Sequence, residues 1–286
     1  MKSVFVRLKE YQNQSSQVEE SVLNFIIKNP EQVSAMSIHE LASKTFASAS
    51  SIIRMVRKLG FCGYKEFRHA LIYEIAMHKQ SAEDEKKEIT KFDSIEEIAE
   101  KITYKNIISL ENTKNLLDYE TLAKCVELLC RSRNICLFGI GSSLVVARDA
   151  HLKFLRLNKP CLINDDWHSQ LLQARNMSKD DVGIIFSYSG QTVEMIECAK
   201  AMREVGACII SVTRYEACLV AELSDYQIYV AANESTFRSG AMSSRISQLN
   251  VIDILFTAFA NKEYEYCLQQ LSKTHITKPL KTTYKN

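Results

Sequence analysis

Residues 135–157 read ICLFGIGSSLVVARDAHLKFLRL, and the hydrophobic period changes inside this stretch. Ile135 to Phe138 form an unbroken apolar run, the mark of a strand buried on both faces. Gly139-Ile140-Gly141 interrupts it, and from Ser143 to Leu157 the spacing is helical. Four more short runs repeat the alternation: CLI before Trp167–Arg175, VGIIF before Thr192–Val205, ACIISV before Glu216–Leu223, and YQIYV before Met242–Phe259. Strands alternating with helices predict right-handed crossovers and an α/β fold, a mainly parallel sheet flanked by helices. In such sheets ligands bind beyond the carboxyl ends of the strands.

Upstream of residue 134 the pattern is helical. Val18, Val22, Phe25 and Ile26 share one helix face that Asn29-Pro30 ends. Ser37 and Glu40 make a capping box for a second helix with Ile38, Leu41 and Ala42 inward. Ser48 caps a third, which buries Ile52, Val56 and Leu59 and stops at Gly60. Three short helices joined by tight turns predict an all-α helix-turn-helix domain over 1–78. The charged segment 79–94, KQSAEDEKKEITKFDS, reads as an exposed linker. Helices over Ile95–Leu117 and Tyr119–Cys130 lead into the sheet, so the α/β domain covers 95–265, and 266–286 is a C-terminal tail.

A length of 286 residues suits two domains, and the net charge of +2 names no partner by itself. No apolar run reaches membrane-spanning length, and the N-terminus lacks a signal-peptide core, so a cytoplasmic protein without a membrane partner is expected. The nine cysteines lie scattered in apolar surroundings without ligand spacing, which points to a reduced compartment and no metal.

Burial of Ile52, Val56 and Leu59 turns Ser50, Ser51, Arg54 and Arg57 outward. Arg54, Arg57, Lys58, Lys65 and Arg68 then face only Glu66 as a local acid. Taken alone such a helix could equally be a solvated basic face. At the third helix of a short-helix bundle, however, it suits phosphate and groove contact, with Ser48, Ser50, Ser51, Arg54, Arg57 and Lys58 as the DNA-binding candidates.

The stretch MSIHELASKTFASASSIIRMVRKLGFCGYKEFRHAL resembles the N-terminal domain of the RpiR family of bacterial regulators. Ile38, Leu41, Ala42, Ser48, Ile52, Arg54, Arg57 to Phe61, Gly63, Tyr64 and Phe67 carry the resemblance. Two positions depart from it: Phe46 stands in the turn where the family commonly has glycine, and Ala49 replaces a polar residue after the cap.

Gly139 to Ser143 offers glycines for a tight turn and a helix start suited to an anion. A second loop, Ser187-Tyr188-Ser189-Gly190-Gln191-Thr192, follows strand VGIIF and also opens a helix, with three hydroxyls and a glycine that permits close approach. Each loop alone is a weak signal, since a serine-rich helix cap looks the same. Together they resemble the sugar isomerase (SIS) domain, a phosphosugar-binding fold, over about Leu122 to Phe259, and RpiR-type regulators carry this domain behind their helix-turn-helix.

The resemblance implies that Ser187, Ser189 and Thr192, with the backbone at Tyr188 and Gly190, hold a phosphate. It also implies that Gly141, Ser142 and Ser143 face the sugar or a phosphate oxygen. Arg245, opening the last helix, is a ligand contact or a structural ion pair. The implied protein is a DNA-binding regulator of carbohydrate-metabolism genes, with a sugar phosphate as effector and no cofactor. It would act as a homodimer or homotetramer on a double-stranded, palindromic operator.

A phosphosugar isomerase is the rival reading. Glu194, Glu234, His151 and His168 could serve as its base by residue type only, and none falls in a catalytic motif. Arabinose phosphate isomerases of this fold have a lysine in the glycine loop where this chain has Ser142. No catalytic residue is therefore expected.

Overall fold

The computed structural model describes residues 4–12, 14–84, 89–232 and 241–276. The chain forms two compact units: Met1–Leu117 with Arg214–Ala217 and Tyr229–Ser247, and Asp118–Thr213 with Cys218–Ile228 and Gln248–Asn286.

The first unit opens with α1 (Val4–Gln12), α2 (Gln17–Lys28), α3 (Pro30–Ala35), α4 (Ile38–Thr45), α5 (Ala49–Lys58), α6 (Tyr64–Asp84) and α7 (Ile95–Leu116). Reciprocal capping boxes start three of these helices: Ser16 with Glu19, Ser37 with Glu40, and Ser94 with Glu97. Each satisfies two amide groups that a helix start leaves open. Leu8, Leu23, Ile26, Leu41, Ile52, Met55, Phe67 and Leu71 are fully buried in one core.

Two expectations shift here. Val18 is 49% exposed, because α2 turns Glu19, Val22, Leu23 and Ile26 inward instead. Asn29 closes α2 as expected, and Pro30 opens α3, where its missing amide hydrogen is not needed. The helix α6 also continues to Asp84, through the first six residues of the segment read as an exposed linker. Those residues include neither glycine nor proline, and Ala82 and Glu83 favour a helix. Residues 85–88 of that segment lie outside the described residues.

The remaining elements are α8 (Tyr119–Arg131), β1 (Ile135–Gly139), α9 (Ser142–Arg156), β2 (Cys161–Ile163), α10 (Trp167–Arg175), β3 (Val182–Phe186), α11 (Val193–Glu204), β4 (Cys208–Arg214), α12 (Leu219–Leu223), β5 (Tyr226–Val230), α13 (Met242–Lys262) and α14 (Tyr264–Lys273). The strands make one five-stranded sheet in the order β2-β1-β3-β4-β5, with β2, β1, β3 and β4 paired in parallel. Every residue of β1 and β3 is buried, as their continuous apolar runs require.

Helix α12 begins at Leu219, not at Glu216, because the chain is still extended at Cys218 (φ −149°, ψ 149°) and residues 214–217 precede it in the first unit. There the Tyr215 hydroxyl donates to the Glu66 carbonyl over 2.9 Å and its ring meets Tyr229 edge-on at 4.8 Å. The segment read as a tail is also partly helical, because α14 buries Cys267 and Gln270. Residues 277–286 lie outside the described residues. Among the described residues no helix is long and apolar enough to cross a membrane.

Candidate functional site

The first unit presents α5. Ser48 Oγ accepts the Ser51 amide hydrogen at 3.1 Å and lies 2.9 and 2.8 Å from the Ser50 and Ser51 hydroxyls. Ile52, Met55 and Val56 are buried, which leaves Ser48, Ser50, Arg54, Arg57 and Lys58 exposed and Ser51 half-buried. Arg54 reaches back to Ser51 Oγ at 3.4 Å, and Arg57 Nε donates to the Cys62 carbonyl at 3.4 Å. Both guanidinium groups keep most of their five donors for another partner.

Lys58 differs from the other cations. Its Nζ donates to Glu19 Oε1 over 2.8 Å and stands 5.7 Å from the Tyr11 ring centroid. Burial pushes the Glu19 carboxyl up, but the Lys58 ammonium and the Ser16 amide and hydroxyl outweigh it and hold the group down at about 2.

Arg7 was not legible as a functional position. Its Nη1 donates to the Leu59 carbonyl over 2.9 Å while its guanidinium lies 4.9 Å from the Phe61 centroid, so a cation closes the carboxyl end of α5. The Glu74 carboxylate in turn accepts the Val4 and Phe5 amides at the start of α1. The exposed basic helix is thus held from both sides.

In the second unit Gly139, the last residue of β1, is in register with Phe186, the last of β3. The glycine loop and the serine loop therefore leave the sheet side by side. A Cβ on Gly139 would lie 2.9 Å from the Ser143 carbonyl oxygen, so the turn closes only around glycine. Gly141 and Gly190 have φ of 61° and 62°, left-handed backbone that glycine adopts without penalty. At Gly190 a Cβ would also lie 2.7 Å from that of Cys218.

These turns deliver Ser142 to the first turn of α9 and Thr192 to the cap of α11. Neither cap residue, Gly141 or Thr192, makes a side-chain capping bond. Both helix starts thus lack a side-chain cap, while the Ser143, Leu144 and Met195 amides donate to the carbonyls of Ile140, Gly141 and Thr192. Ser187 Oγ lies 3.4 Å from Thr192 Oγ1, and Ser189 Oγ accepts the Gln191 amide at 3.3 Å. Ser187 is buried, while Tyr188, Ser189 and Thr192 are half-buried around Gly190.

Two glutamines that no motif marks hold the loops in place. Gln170 Oε1 accepts the Gly139 amide at 3.1 Å, and its Nε2 donates to the carbonyls of Gly139 and Asn164, each at 3.0 Å. Gln248 Oε1 accepts the Ser143 hydroxyl at 3.4 Å, and its Nε2 donates to the Val212 carbonyl at 3.5 Å. Both side chains are essentially buried. The only signal for either was a long polar side chain on the inward stripe of a helix. The buried hydroxyls of Ser211 and Thr213, on β4, have no hydrogen-bond partner among the described residues. Thr213 lies in reach of the serine loop, its methyl carbon 3.5 Å from where a Cβ on Gly190 would be.

Arg245 is half-buried in the first turn of α13. Glu194 lies in the first turn of α11, and Glu234 falls outside the described residues. His168 is exposed on α10, which Asp166 caps by accepting the Ser169 amide at 2.9 Å. Trp167 is 42% exposed at the same helix start. A cavity of about 390 Å³ opens by β1, β2 and α10, lined by Asn134, Cys136, Asn164, Gln173 and Asn176 among others. Its acid, Asp181, is already held by Arg133, Asn134 and Ser178, and the cavity includes neither loop.

Residues 3–78 match the helix-turn-helix domain of the rpiR family, and residues 128–258 match the SIS domain. An HTH-type transcriptional regulator of Caldanaerobacter subterraneus subsp. tengcongensis is 36% identical over 274 residues, 96% of each chain. The HTH-type transcriptional regulator YbbH of Bacillus subtilis is 30% identical over 90% of each chain. The structure of the Vibrio vulnificus NanR protein complexed with ManNAc-6P superimposes with a TM-score of 0.59 at 25% identity, covering 95% of this chain and 96% of that one. Both of these curated relatives are named as HTH-type transcriptional regulators. The chain belongs to the RpiR-type transcriptional regulators, which join an rpiR-family helix-turn-helix domain to a SIS domain.

Proposed function

We propose that this regulator binds double-stranded operator DNA through α5 and changes its affinity when a sugar phosphate occupies the loops beyond β1 and β3. The observation that carries the effector is the register of Gly139 with Phe186. It sets two glycine-hinged loops side by side, each delivering hydroxyls and an uncapped helix start to one place. Ser187, Ser189 and Thr192, with the backbone at Tyr188 and Gly190, hold the dianion, and Gly141, Ser142 and Ser143 meet the sugar. Hydroxyls and amides suffice for this without a lysine, as at other helix starts that bind phosphate. That the NanR protein was solved with ManNAc-6P supports a phosphorylated sugar as the ligand class.

On the DNA side Ser48, Ser50, Ser51, Arg54 and Arg57 make the contacts, with Lys58 contributing less because Glu19 already engages it. The helix-turn-helix domain spans 1–78 and the effector domain 95–265. A homodimer on a palindromic operator in the cytoplasm is the fitting assembly, since one recognition helix alone reads too few base pairs. Leu152 and Leu155 of α9 and Leu162 of β2, each about half exposed, offer apolar surface for it. The target genes are those that handle the sugar sensed.

A thermal-shift panel of hexose, pentose and amino-sugar 6- or 5-phosphates, with their unphosphorylated counterparts, tests the effector. A ligand at a hundred times its dissociation constant stabilises the fold by about 2.7 kcal/mol. A panel in which the free sugars shift the transition as much as the phosphates contradicts the proposal.

A further inference from the structure

Phe46 combines two locally unfavourable features. Its backbone is left-handed, with φ 55° and ψ 28°, a conformation that a residue bearing a Cβ adopts rarely. Its ring is 96% exposed, more than any other large hydrophobic among the described residues.

The turn requires the left-handed backbone, but folding does not require the ring. The turn between α4 and α5 is closed by backbone alone: the Phe46 and Ala47 amides both donate to the Ala42 carbonyl. Thr45 and Leu41 bury themselves on the other side, and the core is filled without the ring.

What surrounds the ring indicates its partner. Two residues on, Ser48 begins the cluster of hydroxyls at the start of α5. From Leu41 to Lys65 the chain contains no Asp or Glu, whereas Lys44, Arg54 and Arg57 are exposed. An apolar ring on a cationic surface suits neither an apolar protein groove nor a second copy of this surface, which would bring like charges together. It suits a polyanion with apolar points on it. In duplex DNA those points are the C5-methyl groups of thymine, displayed in the major groove where a recognition helix enters.

We propose that Phe46 reads sequence: its ring packs against the C5-methyl of a thymine beside the bases met by the start of α5. This rests on the DNA-binding role of α5 proposed above, and it adds a base-specific contact from the turn.

The test uses the full-length protein and duplexes selected by it from a library with a randomised central segment. In the selected duplex each thymine is replaced singly by deoxyuridine, which lacks only the methyl group. One position per half-site is expected to weaken wild-type binding by about fivefold, and Phe46→Gly should be insensitive to that same replacement. Phe46→Gly should bind the unmodified duplex correspondingly less well while unfolding at the same or a higher temperature, because glycine relieves the left-handed strain. Phe46→Asn, which tolerates this backbone, should behave alike and guards against a folding defect of the first variant. The proposal is overturned if both variants bind the selected duplex as tightly as wild type, or if both retain the full deoxyuridine penalty. Failure to enrich any duplex overturns the DNA-binding role itself, a different result from enrichment without Phe46 dependence.

Discussion

Lys58 Nζ donates to Glu19 Oε1 over 2.8 Å, joining the last turn of α5 to the first turn of α2. The pair fixes the basic helix against its own domain. Because the Glu19 carboxyl titrates near 2 in the fold, below the 4.5 of a free glutamate, its contribution is complete above pH 4.5 and disappears as pH falls towards 2. Lys58 is half exposed, so solvent screens the pair, and Glu19→Gln should cost about 1 kcal/mol at pH 7. Urea midpoints of wild type and variant should converge on going from pH 7 to pH 3. A gap that stays constant with pH would show that packing, not charge, holds this contact.

The same contact separates two cations that look alike in sequence. Arg54→Ala should weaken binding to a selected duplex by about 1 to 3 kcal/mol at fixed salt, with little change in melting temperature. Lys58→Ala should act the other way, losing stability through its partner Glu19 and less of its DNA affinity. Gel-shift titrations and melting curves of both variants decide it; an Arg54 variant with wild-type affinity would remove that residue from the interface.

Ser189→Ala combined with Thr192→Ala should abolish the response to sugar phosphate and leave operator binding intact. Each hydroxyl that donates to a dianion contributes about 1.5 to 3 kcal/mol, so the pair together amounts to at least roughly a hundredfold in affinity. Isothermal titration with the strongest ligand of the thermal-shift panel measures this directly. Equal affinity of variant and wild type would place the phosphate elsewhere.

Gly190 and Gly206 both have positive φ, 62° and 76°, but only Gly190 is crowded. A Cβ at Gly206 meets nothing within 4 Å, whereas one at Gly190 would lie 2.7 Å from the Cys218 Cβ. Gly206→Ala should therefore lose about 1 kcal/mol from backbone strain alone, and Gly190→Ala clearly more, together with ligand binding. Chemical denaturation of both variants distinguishes them, and similar losses would mean that the serine loop moves aside without penalty.

Much of this architecture is local and hence written in the chain itself. The capping box of Ser37 and Glu40, the inward stripe of Ile52 and Val56, and the uninterrupted runs of β1 and β3 all depend on residues within about one turn or one strand of each other. The glycines of both loops were legible for the same reason: a strand that ends in a glycine-hinged turn before a helix specifies its own backbone. That is how the helix-turn-helix, the α/β class and the two glycine-hinged loops could be read from the sequence.

The tertiary structure alone decided what lies far apart in sequence. It turned Glu19 inward in place of Val18 and gave it Lys58, 39 residues away. It brought Gln170 to Gly139 across 31 residues and Gln248 to Ser143 across 105. It also set β1 between β2 and β3, which places the two loops next to each other. No periodicity encodes such pairings, because a buried polar side chain takes whichever unsatisfied partner the packed fold presents to it, and that partner exists only once the distant segments have met.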